Sequence, residues 1–356
     1  MTLQCTLCDT SYEDRCRCSC GGPLQFTTYP ELRHPPPPSG SIDTRQGLWS
    51  FRDFFPEQWS HPVTLGEGMT PLVSAPDWDA QFKLEYVSPT GSFKDRGATT
   101  TITRAVAVGA SHVIEDSSGN AGAAIATYAA RAGIDATIYA PASASPKKLD
   151  AIRNTGATLE PVPGERDAVT AACLEAVRAG DGWYASHAWN PAFTAGTMTT
   201  AIEIAYQRDW QAPAAVVVPV GHGTLLLGLY RGFRSLAAAG WIDRMPRLLV
   251  VQAQGIAPIV TARGGTDRGD PNDLAAGVQI TDPVRHNEIV AAIDATDGAA
   301  IAIDADRTAE ELDRLHAAGF GCEPTSGLAP AGLRRFREMG VLAPEDDVVV
   351  PLTGRN

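Results

Sequence analysis

The chain predicts an α/β fold of two lobes with a small cysteine-rich knob at its N-terminus, and three observations carry that expectation. From about Leu65 onward, short β-rich runs alternate with longer Ala-rich helical runs, the pattern of parallel sheets covered by helices. At 356 residues the chain is longer than one hydrophobic core usually serves. Five of its seven cysteines crowd into Cys5, Cys8, Cys16, Cys18 and Cys20, leaving Cys173 and Cys322 alone.

Taken in order, residues 1–34 read as the knob, followed by Pro35-Pro36-Pro37-Pro38, whose prolines favour an extended linker. Residues 35–84 read as this linker and the start of a large lobe, 85–200 as a small mobile lobe, and 201–356 as the rest of the large lobe. Within the small lobe His112-Val113-Ile114-Glu115 is strand-like and precedes a helix from Ala121 to Arg131; Ala136 to Tyr139 precedes another from about Pro146 to Asn154. In the large lobe Ala215 to Val220 is a strand, Leu225 to Ala238 a helix, and Leu248 to Gln252 a strand.

The formal charge of −12 excludes a basic stripe for nucleic acid, and the longest apolar runs are too short to span a bilayer. The start Met-Thr-Leu-Gln-Cys has neither the basic residues nor the apolar run of a signal peptide, so a cytoplasmic protein is expected. Of 29 basic residues only four are lysines, at Lys83, Lys94, Lys147 and Lys148, so any lysine chemistry has four candidate positions.

One of them stands out. In Ser88-Pro89-Thr90-Gly91-Ser92-Phe93-Lys94-Asp95-Arg96-Gly97, Pro89 and Gly91 make a turn, Ser92 is a candidate N-cap, and Lys94 falls in the first turn of a helix. The positive end of the helix dipole disfavours an ammonium there and favours the free, nucleophilic amine. By spacing alone Lys94 reads equally as a surface lysine beside Asp95. Asp116-Ser117-Ser118-Gly119-Asn120 opens the following helix with hydroxyls, an amide and backbone N–H groups suited to a carboxylate, or simply to capping. Gly221-His222-Gly223-Thr224 joins a strand to a helix as a phosphate cradle would, although tight turns use glycine in any case. The next glycine, Gly228, is one residue too far for G-x-G-x-x-G, and Gln252 stands where a dinucleotide fold places an acid, which disfavours a nicotinamide site. Glu323-Pro324-Thr325-Ser326-Gly327 and the terminal Leu352-Thr353-Gly354 offer further hydroxyls. Ser145-x-x-Lys148 matches an S-x-x-K hydrolase pattern but lacks its companion motifs. In the knob, Cys5-x-x-Cys8 has zinc-ribbon spacing; with Arg17 where a second C-x-x-C needs cysteine, Cys18 and Cys20 complete the candidate zinc set, and a metal-free knob is the alternative.

As a set, these segments resemble the threonine synthases of the fold type II, tryptophan-synthase-β-like enzymes that use pyridoxal 5'-phosphate (PLP). Gly47-Leu48-Trp49 and Leu65-Gly66-Glu67-Gly68-Met69-Thr70-Pro71-Leu72 are similar to the archaeal type, and the likeness runs over nearly the whole chain. The resemblance implies that Lys94 holds PLP as a Schiff base and moves protons, that Asn120 binds the cofactor hydroxyl, and that Gly221, His222, Gly223 and Thr224 hold its phosphate. Thr353 would face the ring nitrogen and Ser326 the same wall; Ser117, Ser118 and Gly119 would receive the substrate carboxylate, with Ser92 and Asn190 alongside. The implied reaction turns O-phospho-L-homoserine and water into L-threonine and phosphate. In the segment from Asn190 to Thr199, Met198 stands where the family commonly has lysine and Phe193 is apolar, so Arg96, Arg153 and His187 are the candidates for that charge. Another amino-acid lyase of the same fold, or a non-catalytic PLP-binding relative, is the alternative, and a homodimer is the family expectation.

Overall fold

The computed structural model describes residues 2–355 other than Ser39, Gln58 and Ser145. The S-x-x-K pattern therefore lies outside the described residues. In chain order the elements are β1 (Leu3–Cys5), β2 (Ser11–Tyr12), β3 (Leu24–Phe26), β4 (Leu72–Ala75), β5 (Ala80–Leu84), α1 (Lys94–Ala107), β6 (His112–Glu115), α2 (Asn120–Ala132), β7 (Asp135–Pro141), α3 (Pro146–Arg153), β8 (Thr158–Val162), α4 (Arg166–Ala179) and β9 (Trp183–Tyr184). They continue with α5 (Pro191–Thr197), α6 (Thr199–Gln207), β10 (Ala215–Pro219), α7 (Thr224–Ala238), β11 (Arg247–Ala253), α8 (Pro258–Ala262), α9 (His286–Asp294), β12 (Ala299–Ile303), α10 (Ala305–Ala317), α11 (Pro324–Glu338) and β13 (Val348–Leu352).

The chain divides into two compact units, the first made of Met1–Pro30, Arg45–Gly68 and Lys94–Thr197, the second of Glu31–Thr44, Met69–Phe93 and Met198–Asn356. The sequence suggests boundaries at 34, 84 and 200, and the difference has a physical cause. Strands of two or three residues cannot enclose a core of their own, so the knob's Leu3, Leu24 and Phe26 share one with Leu48, Trp49, Phe55, Trp59, Ala192 and Ala195. The proline linker is likewise anchored on the second unit, where Trp210 Nε1 donates to Pro37 O (2.7 Å) and Trp241 Nε1 to His34 O (2.9 Å).

In the first unit, besides the antiparallel sheet β2-β1-β3, four parallel strands run in the order β8-β7-β6-β9. The chain leaves β6 for β7 on one side and later returns to place β9 on the other. The carboxyl end of β6 is thus a topological switch point, where open α/β sheets bind ligands. In the second unit the order is β12-β11-β10-β13-β5-β4, parallel except for β4 against β5. Strands β10 and β13 are buried at every residue, as their Val-rich runs require of parallel strands covered on both faces. Here β10 lies at the switch, with β11 on one side and β13 on the other.

Candidate functional site

Each unit carries one group of the predicted residues at its switch point. In the first unit Lys94 is the opening residue of α1, and its Nζ lies 5.8 Å from the centre of the Phe193 ring on α5. The two helices approach through glycines. A Cβ at Gly97 would sit 2.3 Å from the Phe193 ring, and one at Gly196 only 1.8 Å from the Arg96 carbonyl oxygen. Met198, standing where a basic residue was expected, and the apolar Phe193 are both fully buried.

Ser117, Ser118 and Gly119 form the loop from β6 to α2, and Asn120 is the first helical residue. The N-cap of α2 is Gly119, which has no side chain with which to cap the helix. The Gly119 N–H instead donates to Ser117 Oγ (3.3 Å). Gly122 holds the turn closed, because a Cβ there would fall 1.8 Å from the Ser117 carbonyl oxygen.

Beneath the loop the structure adds a pair that the sequence leaves unjoined. Glu115, the last residue of β6, is fully buried and pairs through Oε1 with His187 Nδ1 at 2.7 Å, while Oε2 accepts from the His187 backbone N–H at 3.2 Å. Burial, reinforced by the nearby Asp116 charge, pushes the Glu115 carboxyl well above its ordinary range, with Lys94 acting in the opposite direction. The signal in the sequence was an acid ending the short strand His112-Val113-Ile114-Glu115. Of the other candidate charges, Arg96 is fully buried at the α1–α5 crossing, and the half-exposed Arg153 pairs with Asp150 at 3.0 Å. Asn190 also departs from expectation: its Oδ1 accepts from Ala192 N (3.0 Å) and its Nδ2 donates to Tyr184 O (3.4 Å), so its amide fixes the start of α5.

In the second unit, Gly221, His222 and Gly223 join β10 to α7, whose first residue is Thr224. Gly223 is the N-cap with φ of 75°, and no side chain caps this helix either. A Cβ on Gly221 would meet the Val278 backbone at 3.0 Å, a tight contact, and one on Gly223 would fall 2.4 Å from Ile289. On the adjacent strand β13, Thr353 follows the last residue and meets Ser326 of α11, with their hydroxyl oxygens 3.3 Å apart. Ser326 Oγ also donates to Gly354 O (3.1 Å) and accepts from Gly354 N (3.0 Å). Ser92 differs from the predicted N-cap, since α1 begins two residues later. It forms a β-bridge with Gly354, while Phe93 N donates to Thr353 O at 3.0 Å. Ser92, Ser326 and Thr353 are thereby brought together.

The four lysines separate by environment. Lys83 is fully buried in β5, its Nζ 2.7 Å from Glu203 Oε2, 2.6 Å from Thr70 O and 2.9 Å from Gln207 Oε1. Lys147 and Lys148 lie in α3, at no sheet switch. In the knob the sulfur atoms of Cys5, Cys8, Cys18 and Cys20 all lie within 4.8 Å of one another. An open cleft of about 450 Å³ on the second unit, lined by Trp210, Trp241, Arg244 and Asp347, contains none of the predicted residues. Among the described residues no helix is long and apolar enough to cross a membrane.

Residues 63–354 match the family described as pyridoxal-phosphate dependent enzyme. The threonine synthase of Methanosarcina acetivorans is 33% identical over 322 residues, covering 86% of this chain and 79% of the relative. That of Methanocaldococcus jannaschii is 30% identical over 374 residues (99% and 92%), and that of Mycobacterium leprae 35% over 340 residues (89% and 91%). Among solved structures, a fungal L-serine ammonia-lyase from Rhizomucor miehei superposes with a TM-score of 0.69 at 23% identity, covering 83% of this chain and 95% of that one. A serine racemase from Dictyostelium discoideum gives 0.68 at 22% identity, covering 81% and 92%. At such identities the structural likeness speaks for the fold.

Proposed function

Because the chain belongs to the pyridoxal-phosphate dependent enzymes and, within them, to the threonine synthases, we infer that it converts O-phospho-L-homoserine and water to L-threonine and phosphate. The observation that carries the residue assignments is that each sheet's switch point opens a helix of more than three turns through a glycine N-cap, Gly119 in one and Gly223 in the other. Backbone N–H groups at such an end suit anions. A glycine-only turn at Gly221 and Gly223 fits a phosphate, and a loop bearing hydroxyls at Ser117 and Ser118 fits a carboxylate. These residues fit PLP and an amino acid.

When bound, PLP supplies the electron sink that stabilises negative charge developing on substrate carbons. The chain's own groups do the rest. The Lys94 amine would hold the cofactor and could accept and return protons at Nζ. Asn120 would serve the cofactor's ring hydroxyl, and the N–H groups of Gly221, His222, Gly223 and Thr224 its phosphate. Thr353, whose hydroxyl meets Ser326, would offer a neutral partner to the ring nitrogen, and Ser92 fixes that strand end through Gly354. Ser117, Ser118 and Gly119 bind the substrate carboxylate, while Asn190 acts at one remove by fixing α5.

His187 is the basic residue we assign to the substrate phosphate. It stands at the carboxyl ends of β6 and β9 beside the carboxylate loop, its ring contacts the same Phe193 that Lys94 faces (5.9 Å between centres), and Glu115 holds its Nδ1. Glu115 Oε1 fixes the imidazole through Nδ1 at 2.7 Å, which sets the direction in which the ring presents Nε2. The buried Phe193 and Met198 favour a second reading, elimination from a hydroxy amino acid without a phosphate. Purified protein supplied with PLP decides between them: phosphate released from phosphohomoserine supports the synthase, whereas ketoacid from threonine or serine with no phosphate release overturns it. A homodimer in the cytoplasm is the accompanying expectation, checked by light scattering and by cell fractionation.

A further inference from the structure

The knob holds four thiols that the reaction does not use, arranged as a metal would arrange them. Cys5 and Cys20 have sulfurs 3.5 Å apart, as do Cys8 and Cys18, and all four lie within 4.8 Å of one another. A zinc ion with four bonds of about 2.3 Å spaces its sulfurs by roughly 3.8 Å along the tetrahedron's edges. The observed separations bracket that edge and are far longer than the about 2.05 Å of a disulfide.

The surroundings supply what metal-bound sulfurs need. The Leu7 N–H points at Cys5 Sγ (3.4 Å), the Cys20 N–H at Cys18 Sγ (3.5 Å), and the Tyr12 hydroxyl lies 3.1 Å from Cys18 Sγ. Donors aimed at a sulfur stabilise the thiolate form and fix its direction. Gly22 leaves room for this, since a Cβ there would meet Cys5 Sγ at 2.8 Å. The fifth cysteine is sorted out of the set: Cys16 packs against a different core, with Cys173 and Tyr184. A second pair spaced C-x-C thus serves where the sequence pattern calls for C-x-x-C.

We propose that Cys5, Cys8, Cys18 and Cys20 bind one zinc ion, and that this ion positions α5 and with it the Phe193 ring beside Lys94. Binding releases the thiol protons to solvent and leaves a four-thiolate centre with no redox change. Cys5 and Cys18 belong to the core that also contains Leu24, Phe26, Trp49, Ala192 and Ala195, the last two on α5. Arg17, whose Nε donates to Gly21 O at 2.9 Å, lies 4.3 Å over the Trp189 ring just before α5. From α5 the contact passes to α1 through Phe193 against Gly97 and Lys94. Zinc is therefore a structural ion whose loss loosens the segment Trp189–Thr197.

The proposal stands apart from the assigned reaction, because metal content is read without turnover. Protein expressed with zinc and purified without chelator should carry about one zinc per chain by plasma mass spectrometry, as a four-thiolate site takes one ion. Cys18→Ser should lose the metal and Cys16→Ser should keep it. If Cys18→Ser fails to fold, stripping the native chain with a mercurial thiol reagent and a zinc dye gives the same count. Hydrogen exchange across residues 189–197 should quicken on removal and slow again when zinc is restored. Protein free of zinc with all five knob thiols alkylatable, an intact mass four hydrogens short from two disulfides, or iron in place of zinc would overturn the site. Unchanged exchange in α5 after removal would overturn its positioning role.

Discussion

Replacing Lys83 tests the division of labour among the lysines most directly. In Lys83→Met the aliphatic volume is kept, but the Glu203 carboxylate loses an ammonium 2.7 Å away with both side chains fully shielded from water. Thr70 O keeps a donor from Gln207 Nε2 at 2.9 Å, whereas Gln207 Oε1 loses its bond to Lys83. Breaking one side of a buried pair costs about 3–5 kcal/mol, and a unit of 150–250 residues loses about 2–4 °C per kcal/mol, so Tm should fall by roughly 6–20 °C. In the double variant Lys83→Met/Glu203→Leu both charges are gone, and most of that loss should return. Guanidinium unfolding followed by circular dichroism reads both. Below the transition, Lys83→Met should still develop a visible absorbance band with PLP, and Lys94→Met should fold normally but develop none. A Lys83→Met protein within about 0.5 kcal/mol of the parent would refute the buried network, since only surface changes are usually so mild. A folded Lys83→Met protein lacking the band would refute the assignment of Lys94.

Three further outcomes follow from the site's first unit. Gly122→Ala puts a Cβ 1.8 Å from the Ser117 carbonyl oxygen, so the carboxylate loop must move; overpacking costs about 1–3 kcal/mol against about 0.5–1 gained in helix propensity, and KM for the amino acid should rise in phosphate-release assays even where the fold survives. His187→Gln removes a hydrogen bond to a charged phosphate, about 1.5–3 kcal/mol, and should raise KM for phosphohomoserine by roughly 10–100-fold with a smaller change in kcat. For Glu115, whose carboxyl is raised well above 4.5 by burial, the folded chain holds a proton that the unfolded chain gives up. Stability contributed there is lost as pH rises above that value. Glu115→Gln should flatten this fall in denaturation curves from pH 5 to 8; parallel curves for the two proteins would exclude it.

Local chemistry was legible in the sequence and long-range pairing was not. The starts of α1, α2 and α7 follow from Gly91, Gly119 and Gly223, because a turn and an uncapped helix end are decided within a few residues. Lys94 and the two loops stand out only as a set, because local spacing alone reads each equally as a surface lysine, a capping loop or a tight turn. By contrast, Glu115 meets His187 across 72 residues and Lys83 meets Glu203 across 120, separations that sheet order and helix packing set. A charged residue in a strand buried on both faces was the available warning, since it needs a partner to be tolerated there. The metal candidates show the same limit. Spacing left the second half of the knob irregular, and only the pairing of β1 with β3 (Cys5 opposite Leu24) and the turn closed by Cys18 N–H to Gly22 O (3.0 Å) bring Cys18 and Cys20 to the first pair.

The apolar Phe193 on α5 has a packing explanation that ties these observations together. Gly97 and Gly196 let α1 and α5 approach until only a flat ring fits between them, and Phe193 fills that space 5.8 Å from the Lys94 amine. A lysine or arginine at 193 would set a second cation into a fully buried position beside the first, with desolvation and like-charge repulsion both opposing it. The charge for an anionic substrate must then come from a neighbouring element. We assign that part to His187 in the loop before α5, which meets the other side of the Phe193 ring and is fixed through Nδ1 by Glu115. The apolar α5 and the Glu115–His187 pair are thus two parts of one arrangement, in which the knob's core supports the helix and the helix sets the distance between the amine and the imidazole.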